Sequence, residues 1–238
     1  MKNLDKLREL NLKETKKKLK ESVTDDILII QTINHIEDLN KVINILSKDL
    51  REWYSYYNPE FSNDMQDHLS FIKAILDKKD KKSKDSVGAD LSKNDLKPLV
   101  KLSEQINELF KLKEKQEDYI EVMMEKVCPN ITAISGSLIG AKLIQHAGSL
   151  RNLMVMPSST VQLLGAEEAL FRHIKTGAKC PKYGVLHSHP LISKVKRTDV
   201  GKAARILASK ISIASRVDYA KGKFIGDKLM KEIEEKFK

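Results

Sequence analysis

The chain of 238 residues is 32% charged and only 5% aromatic, a composition that favours long helices over sheet. No apolar run approaches the roughly 20 residues that a membrane span needs, and we find no secretory signal. The two cysteines, Cys128 and Cys180, are too few for a disulfide framework. We therefore expect a soluble intracellular protein. The net charge of +10 belongs wholly to residues 175–238, which hold 16 Lys/Arg and 6 Asp/Glu.

Residues 1–127 predict two long helices that pair along matching apolar seams. Residues 1–22 are rich in lysine and predict a lead-in helix or linker, after which Thr24 or Asp25 suits a helix N-cap. In the first long helix the apolar residues follow the 3-4 spacing typical of a coiled coil. This seam consists of Ile36, Leu39, Ile43, Leu46, Leu50, Trp53 and Tyr57.

Residues 58–91 predict an insertion at the tip of this pair. An Asn-Pro sequence ends the first helix, a shorter helix follows, and the segment 77–86 has so little apolar content that we expect a solvated loop. Ser92 and Asp95 resemble a capping box for the second long helix, although Pro98 indicates a kink or a later start.

The second long helix repeats the 3-4 spacing. Its seam consists of Leu99, Leu102, Ile106, Leu109, Lys113, Gln116, Ile120, Met123 and Val127. We therefore predict an all-α protein with a long antiparallel coiled-coil arm over residues 23–127, which associates with a partner or with a second copy. The alternative is that both apolar stripes pack into a globular bundle.

Residues 128–238 predict a compact helical domain. We expect helices over 131–147, ending at Gly148, and near 149–154, 160–174, 198–219 and from 226 onward. On the 198–219 helix an inward stripe contains Val200, Ala203, Leu207, Ile211, Ala214 and Val217, and the opposite side contains Thr198, Lys202, Arg205, Ser209, Ser212 and Arg216. That basic side suits phosphate contacts, but it is equally typical of any exposed helix.

The segment 165–184, GAEEALFRHIKTGAKCPKYG, combines glycines with cations. Its two glutamates suit a helix N-terminus, and Arg172, His173 and Lys175 suit the C-terminus of that helix. We expect Gly177 and Gly184 to let the backbone approach another chain. Lys175, Lys179 and Lys182 would then contact phosphates, and Tyr183, His173 or His187 would offer a ring for stacking on an unpaired base. This combination predicts binding to a shaped RNA; the competing interpretation is a coiled-coil interaction protein with a non-specific basic surface.

Catalytic and metal signatures are weak. His187 and His189 could belong to a metal-dependent hydrolase, but no further ligands are obviously spaced to complete a site. No phosphate loop, GxSxG or Cys-centred motif is present. We therefore expect no catalytic residue, no metal and no cofactor.

The stretch from Pro129 to about Gly226 resembles the Nop domain of box C/D small-ribonucleoprotein scaffolds and of a pre-mRNA splicing factor. The resemblance rests on PNITAISGSLIGAKLIQHAGSLRNLMVMPSSTVQLLGAEEALFRHIKTGAKCPKYGVLHSHP and on GKAARILASKISIASRVDYAKGKFIG. The preceding helical pair looks like the coiled coil of the same family, and the GAEEALF and KTGAKCPKYG stretches follow the archaeal pattern.

The resemblance implies a non-catalytic scaffold. It would bind a kink-turn guide RNA together with a small ribosomal-protein-like partner and dimerise through its coiled coil. Fibrillarin, in the full complex, would use S-adenosylmethionine for ribose 2′-O-methylation of rRNA or tRNA. The protein would be cytoplasmic in an archaeon and nucleolar in a eukaryote. The RNA and partner surface would contain Gly165, Ala166, Glu167, Glu168, Arg172, His173, Lys175, Thr176, Gly177, Lys179, Lys182 and Tyr183, with Lys202 and Arg205 added from the helical-face argument.

The sequence departs from the family pattern in three ways. It begins just ahead of the coil, without the expected N-terminal fibrillarin-binding domain, which puts direct fibrillarin contact in doubt. Glu168 stands where relatives usually have lysine, and the usual lysine-rich tail is missing.

Overall fold

The structure is a computed structural model that describes residues 2–79, 82–83 and 86–237. Within these residues it has thirteen α-helices, one 3-10 turn and no strand, so the predicted all-α fold is confirmed. The helices are α1 (Lys2–Glu21), α2 (Asp25–Ser55), α3 (Pro59–Asp64), α4 (His68–Leu76), α5 (Lys93–Val127), α6 (Pro129–Ser135), α7 (Ser137–Ala147), α8 (Leu150–Val155), α9 (Ser158–Leu163), α10 (Glu167–Thr176), α11 (Pro190–Lys194), α12 (Val200–Tyr219) and α13 (Gly226–Glu234), and the 3-10 turn is Val185–Ser188. None of the described helices combines the length and apolar character that a membrane span requires.

Contacts divide the described chain into two compact units. One contains residues 34–119, and the other contains the residues up to 33 together with those from 120 onward. The core of the 34–119 unit consists of Ile43, Leu50, Tyr54, Phe71, Ile72, Ile75, Leu99 and Ile106. The Tyr54 and Phe71 rings meet edge to face with centroids 5.5 Å apart, so α4 closes this core against α2.

The buried face of α2 differs from the predicted seam at two positions along the helix. Leu46 is half-buried and Trp53 is 43% exposed, whereas Ser47 and Tyr54 are buried. Trp53 therefore does not pack in the core of the 34–119 unit, where the seam placed it. Ile29, Thr32 and Ile33 are buried near the start of α2. From residue 36 to the turn that follows the helix, the buried residues are Ile36, Leu39, Ile43, Ser47, Leu50, Tyr54 and Asn58, with 3-4-4 spacing. This is an 11-residue repeat, which does not impose the left-handed supercoil of a heptad seam.

The predicted seam of α5 agrees better with the burial. Leu99, Ile106, Ile120 and Met123 are buried, and its other members, including Leu102 and Leu109, are half-buried. The capping box is confirmed, because the Ser92 backbone N–H donates to Asp95 Oδ2 at 3.1 Å while the Asp95 N–H donates to Ser92 Oγ at 3.3 Å.

The expected solvated loop is anchored at its end. Residues 80, 81, 84 and 85 lie outside the described part of the chain. The Glu60 carboxylate accepts hydrogen bonds from Ser86 Oγ at 2.7 Å and from the Val87 N–H at 3.1 Å. At Gly88 a Cβ atom would lie 2.6 Å from the carbonyl carbon of Tyr57, so only glycine fits this close approach.

Helix α12 is the centre of the other unit and packs against α6, α8 and α9. Because these helices surround more than one side of α12, its buried face is wider than a single stripe. Ser212, expected on the open side, is buried, and its hydroxyl lies 3.5 Å from the Met156 carbonyl oxygen. Lys202 and Arg205 are exposed, as expected.

Two predicted helices are each divided by a glycine with positive φ. Gly136, at φ 77°, separates α6 from α7, and Gly165, at φ 84°, lies between α9 and α10. Gly148, at φ 80°, ends α7 in the left-handed conformation, as predicted. The second division matters for function, because it creates the turn from which α10 begins.

Candidate nucleic-acid interface

The turn at residues 164–166 is held by side chains of two helices. The Gly165 N–H donates to Glu167 Oε1 at 2.7 Å, and His146 Nδ1 of α7 lies 3.7 Å from the same oxygen. A Cβ at Gly165 would lie 2.6 Å from Val185 Cγ2. The turn therefore packs directly against the loop that leads into the 3-10 turn.

That loop, residues 182–185, is fixed to the end of α9. The Gly184 N–H donates to the Gln162 carbonyl at 3.1 Å, and the Val185 N–H donates to the Leu164 carbonyl at 2.7 Å. A Cβ at Gly184 would lie 2.6 Å from the Leu164 carbonyl carbon. The expectation that Gly184 admits another chain was wrong, because the close neighbour is this chain's own backbone.

Helix α10 ends in a compact turn. Gly177 caps it in the left-handed conformation at φ 68°, and its N–H donates to the His173 carbonyl at 2.9 Å. The Thr176 hydroxyl donates to the Arg172 carbonyl at 2.7 Å. His173 Nδ1 hydrogen-bonds to the Ala178 carbonyl oxygen, so this ring braces the turn and does not extend freely from it.

The cations expected to contact RNA lie on the surface. Exposed side chains in this group are Arg172, Lys175, Lys179, Lys182, Lys202 and Arg205, and Glu168 is exposed beside them in sequence. A Cβ at Gly201 would lie 3.6 Å from Lys182 Cδ. The Lys182 side chain therefore lies over the first turn of α12, which joins the 182–185 loop to the basic face of that helix.

Tyr183 is part of a ring pair. Its ring lies 4.9 Å from that of His187, with an interplanar angle of 37°. Tyr183 is half-buried and His187 is exposed. The two rings are tilted relative to each other and do not form one flat platform. The exposed His187 ring is the candidate for stacking on an unpaired base.

Two apolar residues of α10 are absent from the predicted site. Phe171 is 59% exposed and Ile174 is 68% exposed, and no residue of α10 is buried. Their i, i+3 spacing places them on one side of the helix. The sequence signal for these two residues was the apolar face of this segment. The sequence alone does not show whether such a face packs into the core or stays exposed.

The histidines considered for a metal site are separated by their environments. His189 is buried; its Nε2 donates to the Ile134 carbonyl at 2.9 Å and its Nδ1 accepts from the Leu191 N–H at 3.1 Å. Both ring nitrogens are therefore occupied. Among the described residues no group of three or more His, Cys, Asp or Glu side chains could hold a metal ion.

Comparison with known proteins places the chain in a family. The Nop family model, described as "snoRNA binding domain, fibrillarin", matches residues 35–238. The chain belongs to the Nop family. Among its relatives, an uncharacterised NOP5 family protein of Methanocaldococcus jannaschii is 40% identical over 230 residues, which cover 87% of this chain and 55% of that protein.

Other Nop-family proteins also match most of this chain. Nucleolar protein 58 of Schizosaccharomyces pombe is 36% identical over 215 residues, covering 81% of this chain and 42% of its own. A crystal structure of a fibrillarin/Nop5p complex matches with a TM-score of 0.60 at 26% identity, covering 98% of this chain and 77% of that one. The chain thus spans about half the length of the curated relatives it matches. Family membership agrees with the expectation of a scaffold that is not an enzyme.

Proposed function

We propose that this Nop-family chain is a scaffold subunit of a box C/D guide ribonucleoprotein. It binds a kink-turn guide RNA together with a small ribosomal-protein-like partner, through α10, the turn that follows it and the 182–185 loop. The observation that carries the proposal is the charge distribution within the family match: residues 172–205 hold nine Lys/Arg and one acidic residue. Such a localised excess suits a polyanion.

The surface of α10 suits two partners at once. Exposed Phe171 and Ile174 provide apolar area that a protein can cover, and Arg172 and Lys175 provide charge for phosphates. This exposed apolar pair adds nothing to the core of this unit, since no residue of α10 is buried and only neighbours such as Ala169 and Leu170 are half-buried. A composite of RNA and a small protein accounts for both halves of the helix surface.

The 34–119 unit suits self-association. On α2, Val42, Ile45, Trp53 and Tyr56 are between 43% and 62% exposed, and their spacing places them within one stripe. This stripe lies apart from the buried face that packs in the unit's own core. We propose that the homodimer contact lies on this stripe, in the unit that does not contain the RNA surface.

The chain's relatives support the place proposed for it in the complex. A solved neighbour is a fibrillarin/Nop5p complex, which supports fibrillarin as a partner of the assembly. Fibrillarin would carry out 2′-O-methylation with its own S-adenosylmethionine, so this chain needs no cofactor. Similarity to the M. jannaschii protein supports an archaeal cytoplasmic setting, whereas the relatives named nucleolar protein 58 would place a eukaryotic counterpart in the nucleolus.

The proposal is tested by titrating a kink-turn RNA with the protein, with and without the small partner. We expect tight, salt-sensitive binding only to the RNA already bound by the partner. Changing Lys175, Lys179 and Lys182 together to Ala should abolish ternary binding and leave dimerisation intact. The matched control removes the same charge from the end of the chain, at Lys223, Lys228 and Lys231, and should bind normally.

Two outcomes contradict the proposal. Equal, weak binding to any RNA would favour a coiled-coil interaction module with a non-specific basic surface. Tight binding that depends on a spliceosomal RNA and not on a box C/D RNA would instead favour a scaffold of the splicing-factor type.

A further inference from the structure

A second group of cations lies outside the predicted site, at the end of α11 and in the turn that leads to α12. Lys194, Lys196 and Arg197, which we call the α11–α12 cations, are all exposed. In the part of the chain that the structure describes, no ion pair or side-chain hydrogen bond engages their charged groups. Three neighbouring cations without partner anions repel one another, and a polyanion would relieve that repulsion.

The turn is built so that these side chains project outward. Ile192 is buried, while Val195 and Val200 are half-buried. The Asp199 N–H donates to the Lys196 carbonyl at 2.8 Å, which closes a tight turn between the two apolar anchors. The cations therefore stand on a fixed backbone and do not belong to a loose tail.

The turn is continuous with the candidate interface. It leads directly into α12, whose first turn lies under the Lys182 side chain: a Cβ at Gly201 would lie 3.6 Å from Lys182 Cδ. Lys202 is exposed on the same helix. The α11–α12 cations, Lys182 and Lys202 thus belong to neighbouring parts of one surface, and Asp199 is the sole acidic residue in the sequence between positions 172 and 205.

We propose that the α11–α12 cations form a second binding element for the sugar-phosphate backbone of RNA, which extends the RNA contact from the α10 surface along the start of α12. This inference rests on the proposed function and names three contact residues beyond it. The element supplies affinity without sequence preference, because ammonium and guanidinium groups contact phosphates and not base edges. An acidic protein surface is the alternative occupant, and the experiment below separates the two.

The test measures RNA affinity of the partner-bound complex from low to moderate salt for the unaltered protein and four variants. Changing Lys194, Lys196 and Arg197 together to Ala should weaken binding at least tenfold at physiological salt. It should also lower the slope of log K against log salt by about 2, since each phosphate contact releases roughly 0.7–0.9 of a counterion. The Lys223, Lys228 and Lys231 to Ala control should keep both values. A variant with Lys194→Arg and Lys196→Arg should also keep them, because the charge is retained.

The outcomes separate this inference from the proposed function. If the α11–α12 variant binds RNA with unchanged affinity and slope while the Lys175, Lys179 and Lys182 variant fails to bind, the inference is wrong and the proposed function stands. If neither variant affects binding, both fail. If RNA binding is unchanged but binding to the small partner without RNA is lost, the turn contacts protein. Circular dichroism of each variant shows whether the fold is intact.

Discussion

Asp218, near the end of α12, should be the polar residue whose loss most damages the unit that contains residues 120 onward. It is 6% exposed, and its carboxylate accepts hydrogen bonds from the Asn130 N–H at 3.1 Å, from Asn130 Nδ2 at 2.6 Å and from the Ile131 N–H at 2.9 Å. The two backbone donors are at the start of α6, which has no side-chain cap of its own from Cys128. Asn130 Oδ1 in turn accepts from the Ile225 N–H at 2.6 Å.

The cost of Asp218→Ala can be worked from these contacts. Leaving three buried donors unpaired costs about 1–1.5 kcal/mol each, or roughly 4 kcal/mol together. Burial raises the pKa of Asp218, and the three hydrogen bonds lower it but do not reverse that shift. The ionised carboxylate therefore carries a desolvation cost, whose removal offsets part of the loss. We expect a net destabilisation of about 3 kcal/mol.

Urea unfolding followed by circular dichroism measures this change. With a typical slope of about 2 kcal/mol per molar urea, the midpoint should fall by about 1.5 M. Hydrogen exchange should increase in α6 before it increases in α4. Asp227→Ala, at an exposed position at the start of α13, is the control and should change stability by less than about 0.5 kcal/mol. Equal midpoints for the two variants would refute the capping argument.

Three further predictions concern stability and the shape of the site. Burial lowers the pKa of His189, so its imidazole is protonated more readily in the unfolded chain than in the folded one. Stability should therefore fall as the pH drops below about 6.5, by at most about 1.4 kcal/mol per pH unit for this group. Urea midpoints of His189→Gln should show a smaller slope, and the remainder includes His68, whose pKa burial and the Arg51 charge also lower. Tyr54→Ala should lower the free energy of unfolding by about 3–5 kcal/mol and Trp53→Ala by under about 1 kcal/mol. A lower urea midpoint for Trp53→Ala than for Tyr54→Ala would instead support the predicted heptad seam. Gly184→Ala should disrupt the contact with Leu164 and weaken ternary RNA binding at least tenfold in a filter-binding titration, whereas unchanged binding would separate this loop from the site.

The sequence predicted best those features that depend on nearby residues. The capping box of Ser92 and Asp95 involves residues three positions apart, and the glycine stop at Gly148 needs only its own backbone conformation. The exposure of Lys202 and Arg205 was predicted correctly because both lie on one helix whose apolar side is strongly marked.

Features that depend on distant neighbours were predicted less well. Trp53 and Tyr54 differ by one position, and only the packing of α4 against α2 decides which of them is buried. The neighbour of Gly184 is Leu164, twenty residues earlier, which no local pattern reveals. Ser212 is buried because several helices pack around α12, whereas the sequence pattern predicted only one buried stripe along that helix.

The location of the RNA surface can be tested directly by hydroxyl-radical probing from a natural cysteine. Cys180 is exposed within the basic loop, whereas Cys128 is buried, so a thiol-reactive iron chelate will label Cys180 selectively. In the complex of the protein, the small partner and a kink-turn RNA, the account predicts strong cleavage at nucleotides of the kink-turn. A probe at Asp227→Cys in a Cys180→Ser background should cleave weakly. Weak cleavage from Cys180, with strong cleavage from position 227, would contradict the account.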